Sequence, residues 1–218
     1  MSIDFSSVFS SERLIYEPFD NADEDTKKFL YHQMAMNPEI KGLDSIQAFT
    51  PLSKTSYYES LGHWKNNLMN VIFCLKPDGW DELSRDYTRE EHAKGGLRGV
   101  PVGMMCLAAL PASLAHHRRA GVGMSVSAAH QGRGYGTEAL RWIAGWTFDY
   151  GNMHSLFLQT SSLNEKAIHV YKKVGFVEDG REREALYLAG RWFDTVHMSI
   201  LEQDWRANQG GEKSYSEV

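Results

Sequence analysis

The chain has 218 residues, of which 42% are hydrophobic and 23% charged, the composition of an ordinary globular protein. Its net charge of −5 argues against nucleic acid as the main partner, because phosphate binding requires a basic face. The first residues lack the basic and apolar regions of a signal peptide, and no apolar run approaches the roughly 18 residues of a membrane span. We therefore expect a cytoplasmic protein without membrane contacts.

Both cysteines of the chain, Cys74 and Cys106, lie within apolar runs. Neither has partners at the spacing of a metal site, so we predict two buried free thiols and no metal centre. Free thiols in turn favour a reducing compartment.

The first half of the chain alternates between predicted strands and helices. Residues 13–19 alternate in hydrophobicity like a strand, and 22–35 predict a helix with acidic residues in its opening turn. A second helix is predicted over 54–69 and a compact strand over 70–76. The charged, glycine-containing segment 77–99 predicts a long solvated excursion between strands.

Two apolar runs at 100–110 and 120–129 flank a short connection and predict an antiparallel pair of strands. The stretch HQGRGYGTEAL at 130–140 follows, with three glycines immediately before a predicted helix start. Bare glycine backbone lets consecutive N–H groups point at an anion, and a helix N-terminus adds a positive end. A flexible strand-to-helix turn without a ligand is the alternative, because short glycine patterns recur by accident.

The last third of the chain predicts a helix–strand–helix unit and a hairpin. The helix after the glycines runs to about Gly151, and a strand follows at 154–162. The next helix has Asn164 as its N-cap and ends at Gly175. Residues 181–201 predict two strands joined by a tight turn at Ala189 and Gly190. This order of elements gives an α+β or mixed α/β class.

Two motifs in this region point to one family. GMSVSAAHQGRGYGTEAL fits a strand followed by Gln/Arg-x-x-Gly-x-Gly/Ala, and SSLNEKAIHVYKKVGF fits Asn-x-x-Ala-x-x-x-Tyr-x-x-x-Gly-Phe. Two spaced motifs in the right order arise by chance far less often than either alone. The stretch from about 100 to 201 therefore resembles the GNAT superfamily of acyl-CoA-dependent N-acetyltransferases. The matching residues are Gln131, Gly134, Gly136, Asn164, Ala167, Tyr171, Gly175 and Phe176.

The resemblance implies a mixed α+β fold with a central, twisted, mostly antiparallel sheet flanked by helices on both faces. It implies that acetyl-CoA lies in the splay between the fourth and fifth strands. We expect a single acetyltransferase domain over 11–205, with flexible tails at 1–10 and 206–218. Looser similarity at 12–29 and 190–200 points to the branch that includes ribosomal-protein N-terminal acetyltransferases.

The resemblance also implies where the cosubstrate binds. The pyrophosphate would lie on backbone N–H groups of 131–137, and the pantetheine arm alongside Met124–Val126, where an N–H group stabilises the oxyanion. Asn164 would bond the pantetheine chain or act only as an N-cap, and Arg133 would contact phosphate or remain solvated. The implied cofactor-binding set is Met124, Ser125, Val126, Gln131, Gly132, Arg133, Gly134, Tyr135, Gly136, Thr137, Asn164, Ala167 and Tyr171.

Two proton transfers accompany acetyl transfer. The resemblance implies that Tyr171 protonates the departing thiolate, and the alternative is that Tyr171 packs in the core. For a lysine-like acceptor only about one molecule in 2,500 is free base at neutral pH, so a proton must be removed. Some relatives carry a glutamate where this chain has Gln159, which cannot act as a base. The remaining candidates, each more typical of a surface residue than of a catalyst, are His116, His117, His154 and Glu138. A water relay or a carboxylate on the acceptor side is the preferred hypothesis.

We predict direct transfer from acetyl-CoA to a primary amine of a small molecule or a peptide N-terminus, by a monomer or homodimer. A non-catalytic CoA-binding module of the same fold is the alternative, and a dinucleotide site is disfavoured because GRGYG lacks the third glycine and the later acidic residue. The segments expected to line the acceptor side are 77–99, 114–121 and 181–193. Within them, His116–Arg119 either bind an acidic group or form a solvated loop.

Overall fold

The structure, a computed structural model, describes residues 8–19, 24–44, 51–77 and 99–208. Strands within these residues form one sheet: β1 (Leu14–Pro18), β2 (Met69–Leu75), β3 (Val100–Ala109), β4 (Arg119–Val126), β5 (Ser155–Ser161), β6 (Val177–Leu188) and β7 (Arg191–Leu201). The α-helices of the same residues are α1 (Glu24–Phe29), α2 (Pro38–Asp44), α3 (Lys54–Leu61), α4 (Tyr135–Asp149), α5 (Glu165–Val174) and α6 (Glu202–Asn208).

The sheet has the order β1-β2-β3-β4-β5-β7-β6, and neighbouring strands are antiparallel except for β4 and β5. This confirms the predicted mostly antiparallel sheet and the predicted antiparallel pair of β3 with β4. The hairpin of β6 and β7 turns at Ala189 and Gly190, as predicted, with φ angles of 50° and 80°. Positive φ at both central residues suits the twist of the two strands.

The parallel pairing of β4 with β5 is short. It extends over three residue pairs, from Arg119–Ser155 to Gly121–Phe157. Beyond this point β4 remains paired with β3 as far as Val126, and β5 remains paired with β7 as far as Ser161. The two strands therefore separate toward their C-terminal ends and leave a splay. On the outer sides of this splay, β4 stays hydrogen-bonded to β3 and β5 stays hydrogen-bonded to β7.

Helices cover both faces of the sheet, as predicted. Met105, Val122 and Leu158 lie in the core cluster that includes the buried residues of α4 and α5. Ile72 and Met104 lie in the second cluster, on the other face, with buried residues from the helices between β1 and β2. Since successive side chains of a strand point to opposite faces, Met104 and Met105 belong to different clusters.

Of the two helices that flank the splay, α5 begins and ends where the sequence predicts, whereas α4 begins at Tyr135, so that Gly136 lies in its first turn and not before it. The side chain of Asn164 accepts a hydrogen bond from the Ala167 N–H at 3.2 Å, which makes it the N-cap of α5. Gly175 ends the helix with a φ of 112°. In α4, Leu140 and Ile143 lie on one face and are buried in the core.

Several boundaries differ from the prediction. The first helix continues from α1 into a π-helical turn at Leu30–Ala35. The second helix ends at Leu61 and is followed by a 3₁₀ turn over Gly62–Asn66, so the predicted end at residue 69 is wrong. Here Asn70 Nδ2 donates to the carbonyl of Trp64 at 2.9 Å, which fixes the turn into β2.

Four further elements differ from the prediction. β4 ends at Val126 and a 3₁₀ turn (Ala128–His130) leads to the glycines. β6 begins at Val177, four residues before its predicted start. The prediction missed these residues because they are largely exposed and show no alternation in hydrophobicity. The short helices α2 and α6 have no counterpart in the prediction.

Parts of the predicted tails pack on the sheet and helices. Ser10 is buried, the Val8 carbonyl accepts a hydrogen bond from Trp142 Nε1 at 2.9 Å, and α6 extends to Asn208. The rest of both tails, and the predicted excursion from residue 78 to residue 98, lie outside the described residues.

Cys74 is buried as predicted, whereas Cys106 is only half-buried, so its predicted burial is wrong; neither residue forms a disulfide. Among the described residues no helix is long and apolar enough to cross a membrane. The same residues contain no group of three or more His, Cys, Asp or Glu side chains arranged to hold a metal ion.

Candidate active site

A cavity of about 820 Å³ occupies the splay between β4 and β5. Its wall is completed by the start of α4, by one side of α5, by Ile40 and Leu43 of α2, and by Leu186 of β6. The cosubstrate residues predicted from the sequence line this cavity with the exception of Arg133: Met124, Ser125, Val126, Gln131, Gly132, Gly134, Tyr135, Gly136, Thr137, Asn164, Ala167 and Tyr171.

The glycine-rich loop between β4 and α4 has the backbone for which glycine is needed. Gly132 and Gly134 have φ angles of 73° and 84°, in the left-handed region. A Cβ atom at Gly134 would lie 3.3 Å from Nη2 of Arg13, whereas one at Gly132 would meet nothing within 4 Å. Gly136 packs closely on β4, where a Cβ would lie 3.3 Å from Cγ2 of Val126. Residues of the loop and of the helix N-terminus line the cavity together, and bare backbone at a helix N-terminus suits an anion.

Arg133 lies on the outer side of this loop and its side chain is exposed. Its carbonyl accepts a hydrogen bond from Nη1 of Arg13 at 3.1 Å. The Arg13 Nε donates to Oε2 of Glu138 at 2.7 Å, and the guanidinium lies 4.7 Å from the centre of the Tyr135 ring. Sequence reasoning missed Arg13, because more than a hundred residues separate it from the loop and no local pattern links the two.

Glu138, one of the predicted base candidates, is held by these contacts. Its Oε1 accepts hydrogen bonds of 2.7 Å from the Ser11 hydroxyl and from the backbone N–H of Arg13. Burial raises the pKa of the Glu138 carboxyl, but the hydrogen bonds from Ser11 and Arg13, with the Arg13 charge, outweigh burial and lower it. An ionised, fully bonded carboxylate outside the cavity wall is a poor general base.

At the end of β4, two polar side chains line the cavity. Gln131 Nε2 donates to the Val126 carbonyl at 3.2 Å, which satisfies one backbone oxygen at the splayed edge. His130, which the sequence did not single out, has its Nδ1 2.8 Å from the hydroxyl of buried Ser127. Burial, followed by the charge of Arg133, lowers the pKa of His130, so its imidazole is neutral at pH 7.

On α5, Asn164 has a contact beyond its capping role. Its Nδ2 donates to the carbonyl of Leu43 at 3.2 Å and so ties the end of α2 to the cavity. Tyr171 lies two turns further along, half-buried and lining the cavity. Its ring centre is 6.0 Å from that of buried Phe176, which fixes one side of the ring.

The histidines predicted as candidate bases lie elsewhere. His116 and His117 belong to the 3₁₀ turn before β4, and His154 precedes β5, so all three lie at the end of these strands opposite the splay. Residues 114–121 therefore lie away from the cavity, contrary to the predicted role on the acceptor side. Arg118 bonds Asn152 through Nε and Nη2 at 2.8 and 2.9 Å, and the Arg119 guanidinium lies 5.0 Å from the centre of the Phe157 ring.

Gln159 does line the cavity, on the sheet face opposite α4 and α5. It pairs across the strands with His197 of β7, so the two side chains share this face. His197 Nε2 lies 3.9 Å from Oε2 of Glu182 on β6. A strip of polar side chains thus leads from the cavity toward the edge of the sheet.

A mostly antiparallel sheet that opens at its parallel pair, next to a glycine loop and a helix N-terminus, defines a CoA-dependent acyltransferase fold. The family model of the acetyltransferase (GNAT) family matches residues 65–176, and the chain belongs to this family. It is an acetyl-CoA-dependent N-acetyltransferase that transfers acetyl groups to an amine.

Several relatives share part of the sequence. The spermidine N(1)-acetyltransferase of Vibrio cholerae serotype O1 is 28% identical over 143 residues, which cover 64% of this chain and 83% of that protein. YdaF of Bacillus subtilis, provisionally named a ribosomal N-acetyltransferase, is 28% identical over 164 residues, or 71% of this chain and 83% of that protein. The crystal structure of a Vibrio cholerae spermidine N-acetyltransferase with CoA and spermine aligns with a TM-score of 0.68 and 19% identity, covering 90% of this chain and 99% of that chain. This last likeness establishes the common fold.

Proposed function

We propose that the cavity in the splay binds acetyl-CoA and that the enzyme acetylates a primary amine by direct attack within a ternary complex. One observation carries this proposal: the separated edges of β4 and β5, the loop of 131–137 apart from Arg133, and Tyr171 all line one continuous cavity. The cosubstrate has an amide-containing arm and a pyrophosphate, and these two features match the open strand edge and the loop.

The loop supplies the fit for the pyrophosphate. The left-handed φ angles of Gly132 and Gly134 suit a backbone concavity in which successive N–H groups face an anion. The start of α4 adds the positive end of its dipole, and the Thr137 hydroxyl lies at the same wall. The arm of the cosubstrate then lies along Met124–Val126, where a backbone N–H stabilises the oxyanion that forms when the amine attacks.

Tyr171 acts as the proton donor in this proposal. Attack by the neutral amine forms the C–N bond, and collapse of the intermediate breaks the C–S bond. The thiolate sulfur takes a proton from the Tyr171 hydroxyl, which is restored from solvent. The position of Tyr171 on the cavity wall supports this role, and its contact with Phe176 orients the ring.

The proton lost by the amine leaves through water along the polar strip. Gln159 holds the relay water but cannot accept its proton. The imidazole of His197 and the carboxylate of Glu182, which lie 3.9 Å apart, are the groups that can. In this proposal the Glu182 carboxylate lies on the acceptor side, where its negative charge also favours a cationic substrate.

A polyamine is the acceptor that we propose to test first. The Vibrio cholerae relative is named a spermidine N(1)-acetyltransferase, and Glu182 gives the polar strip that begins at Gln159 a negative charge. A peptide N-terminus is the second candidate, favoured by the similarity to YdaF over 71% of this chain. A cytoplasmic location and a monomeric or homodimeric state belong to the same proposal.

A thiol-release assay with acetyl-CoA tests both the reaction and the acceptor. The panel contains spermidine, spermine, lysine, an amino sugar and a peptide with a free N-terminus, and the enzymes are wild type and Tyr171→Phe. We expect turnover with the polyamines and a kcat about a hundredfold or more lower in the variant, since a positioned acid contributes roughly 10²–10⁴-fold. The affinity for CoA is expected to stay within about twofold of wild type, a shift well under 1 kcal/mol.

Tyr150→Phe provides the matched control, because Tyr150 is 49% exposed at the far end of α4. Equal turnover of wild type and Tyr171→Phe would show that Tyr171 does not donate the proton and only packs in the core. CoA binding without turnover of any amine would instead support the non-catalytic CoA-binding module.

A further inference from the structure

A second cavity, of about 480 Å³, lies behind the glycine loop. Gly134 and Thr137 line both cavities, whereas Arg13 lines only the second. Arg13 therefore touches the loop from the side opposite the proposed cosubstrate. Within that region its guanidinium bonds Glu138 and the Arg133 carbonyl and covers the Tyr135 ring.

We propose that Arg13 is a positioning residue that orients the loop for the pyrophosphate of CoA. The inference rests on the proposed function, because it assumes that the main cavity binds the cosubstrate. It goes beyond that proposal by assigning a role to the start of β1, far from the motifs.

The peptide unit between Arg133 and Gly134 is oriented by its contact with Arg13. In a trans peptide the carbonyl and the N–H point in opposite directions, and no cis peptide occurs in the described residues. The Arg133 carbonyl points to Nη1 of Arg13 at 3.1 Å. The Gly134 N–H therefore points away from Arg13 and toward the main cavity. With the opposite orientation, this peptide would present a carbonyl oxygen to the pyrophosphate and repel it.

Charge supports the same role. Glu138 lies in the first turn of α4, where its negative charge alone would weaken the attraction of the helix N-terminus for an anion. The Arg13 Nε, 2.7 Å from Glu138 Oε2, neutralises this charge. The carboxylate in turn fixes the guanidinium, through hydrogen bonds to both the side chain and the backbone N–H of Arg13.

Arginine is needed because the contacts diverge. Nε donates to Glu138 while Nη1 donates to the Arg133 carbonyl, and the planar group also covers the Tyr135 ring. A lysine ammonium keeps the charge but lacks the rigid fork that makes the two bonds together. Arg13→Lys thus separates orientation of the loop from simple neutralisation.

The test compares donors with and without the pyrophosphate. For wild type, Arg13→Ala and Arg13→Lys, calorimetry gives the Kd of CoA and of pantetheine, and kinetics give kcat/KM for acetyl-CoA and acetyl-pantetheine. We expect both variants to bind CoA about tenfold more weakly, the effect of losing one charge-assisted hydrogen bond, with pantetheine binding unchanged. The kcat at saturating acetyl-CoA should stay within about twofold, since the loop does not touch the reacting atoms.

Arg118→Ala is the matched control. Arg118 has 47% of its side chain exposed against 43% for Arg13, and it also makes two hydrogen bonds, at the opposite end of β4. We expect a comparable change in melting temperature without a change in the Kd of CoA. If Arg13→Ala does not fold, Arg13→Lys alone decides the question.

Equal losses for CoA and pantetheine, or wild-type CoA affinity in Arg13→Lys, would overturn the proposal. The calorimetric arm needs no turnover, so an inactive wild type that binds CoA leaves the role of Arg13 testable. A wild type that binds no CoA would refute the proposed function first, and the inference would fall with it.

Discussion

Alanine at Gly132 and at Gly134 tests whether the loop needs its left-handed backbone. Both glycines have positive φ, at 73° and 84°, so both substitutions force an L-residue into the same unfavourable region. The cost of this conformation is about 1–2 kcal/mol. Only at position 134 does the new Cβ also meet a neighbour, Nη2 of Arg13 at 3.3 Å.

Both variants therefore lose stability through the left-handed φ, and only Gly134→Ala also displaces the Arg13 side chain. A loss of 1–2 kcal/mol lowers the melting temperature of a domain this size by roughly 2–8 °C. We expect this loss for Gly132→Ala and at least as much for Gly134→Ala. Because the Arg13 side chain is partly exposed, it moves aside at position 134 and releases the Arg133 carbonyl. Gly134→Ala should therefore lose more CoA affinity than Gly132→Ala.

Thermal unfolding and calorimetry with CoA, run on both variants, measure the two effects. Gly136→Ala is the control from the same motif, because Gly136 lies in the first turn of α4 at an ordinary φ. Alanine is the better helix former, and its Cβ at 3.3 Å from Val126 Cγ2 requires a small shift, so stability should stay within about 1 kcal/mol of wild type. Wild-type melting of both Gly132→Ala and Gly134→Ala would refute the loop geometry. Equal CoA affinities in these two variants would refute the contribution of Arg13.

Two further predictions concern contacts around the cavity. Asn164→Ala should lower the free energy of unfolding by about 1 kcal/mol through loss of the N-cap. Asn164→Asp keeps the capping oxygen and loses only the donor to Leu43. Equal melting temperatures of the two variants would contradict the capping role. The folded pKa of Glu138 is below its ordinary value of 4.5, so its stabilising contribution is complete above pH 4.5 and is lost as the pH falls through the folded pKa. Urea unfolding between pH 6 and pH 3 should therefore show a smaller acid loss in Glu138→Gln than in wild type, and parallel curves would contradict it.

The parts of the site that follow from short stretches of sequence were predictable. The loop at 130–137 and the cap and end of α5 depend on residues within about one turn of each other, and glycine or asparagine at those positions has few alternatives. The position of His116 and His117, at the end of β4 away from the glycine loop, could also have been predicted. They precede β4 whereas the loop follows it, and eight residues of strand span about 26 Å.

The features of the site that were not predicted depend on contacts between segments far apart in the sequence. Arg13 meets the loop, and Leu43 meets Asn164, only because β1 and α2 pack where they do. Helix α2 has seven residues, too few for a periodic pattern to stand out, and contains Pro38 and Gly42. The face shared by Gln159 and His197 depends on the register of β5 with β7, which pairs residues almost forty positions apart.

The splay explains why the sequence motifs lie where they do. From Val122 onward the edge of β4 that would have paired with β5 faces the cavity, and within the described residues the ladder between the two strands stops at Gly121. Buried backbone groups need hydrogen-bond partners. Gln131 satisfies the Val126 carbonyl from the loop side. In our proposal the amide groups of the pantetheine arm satisfy the others, so the cosubstrate completes the sheet. Each end of that arm then meets a separate motif: the pyrophosphate meets the glycine loop after β4, and the thioester meets the helix after β5, which supplies Tyr171.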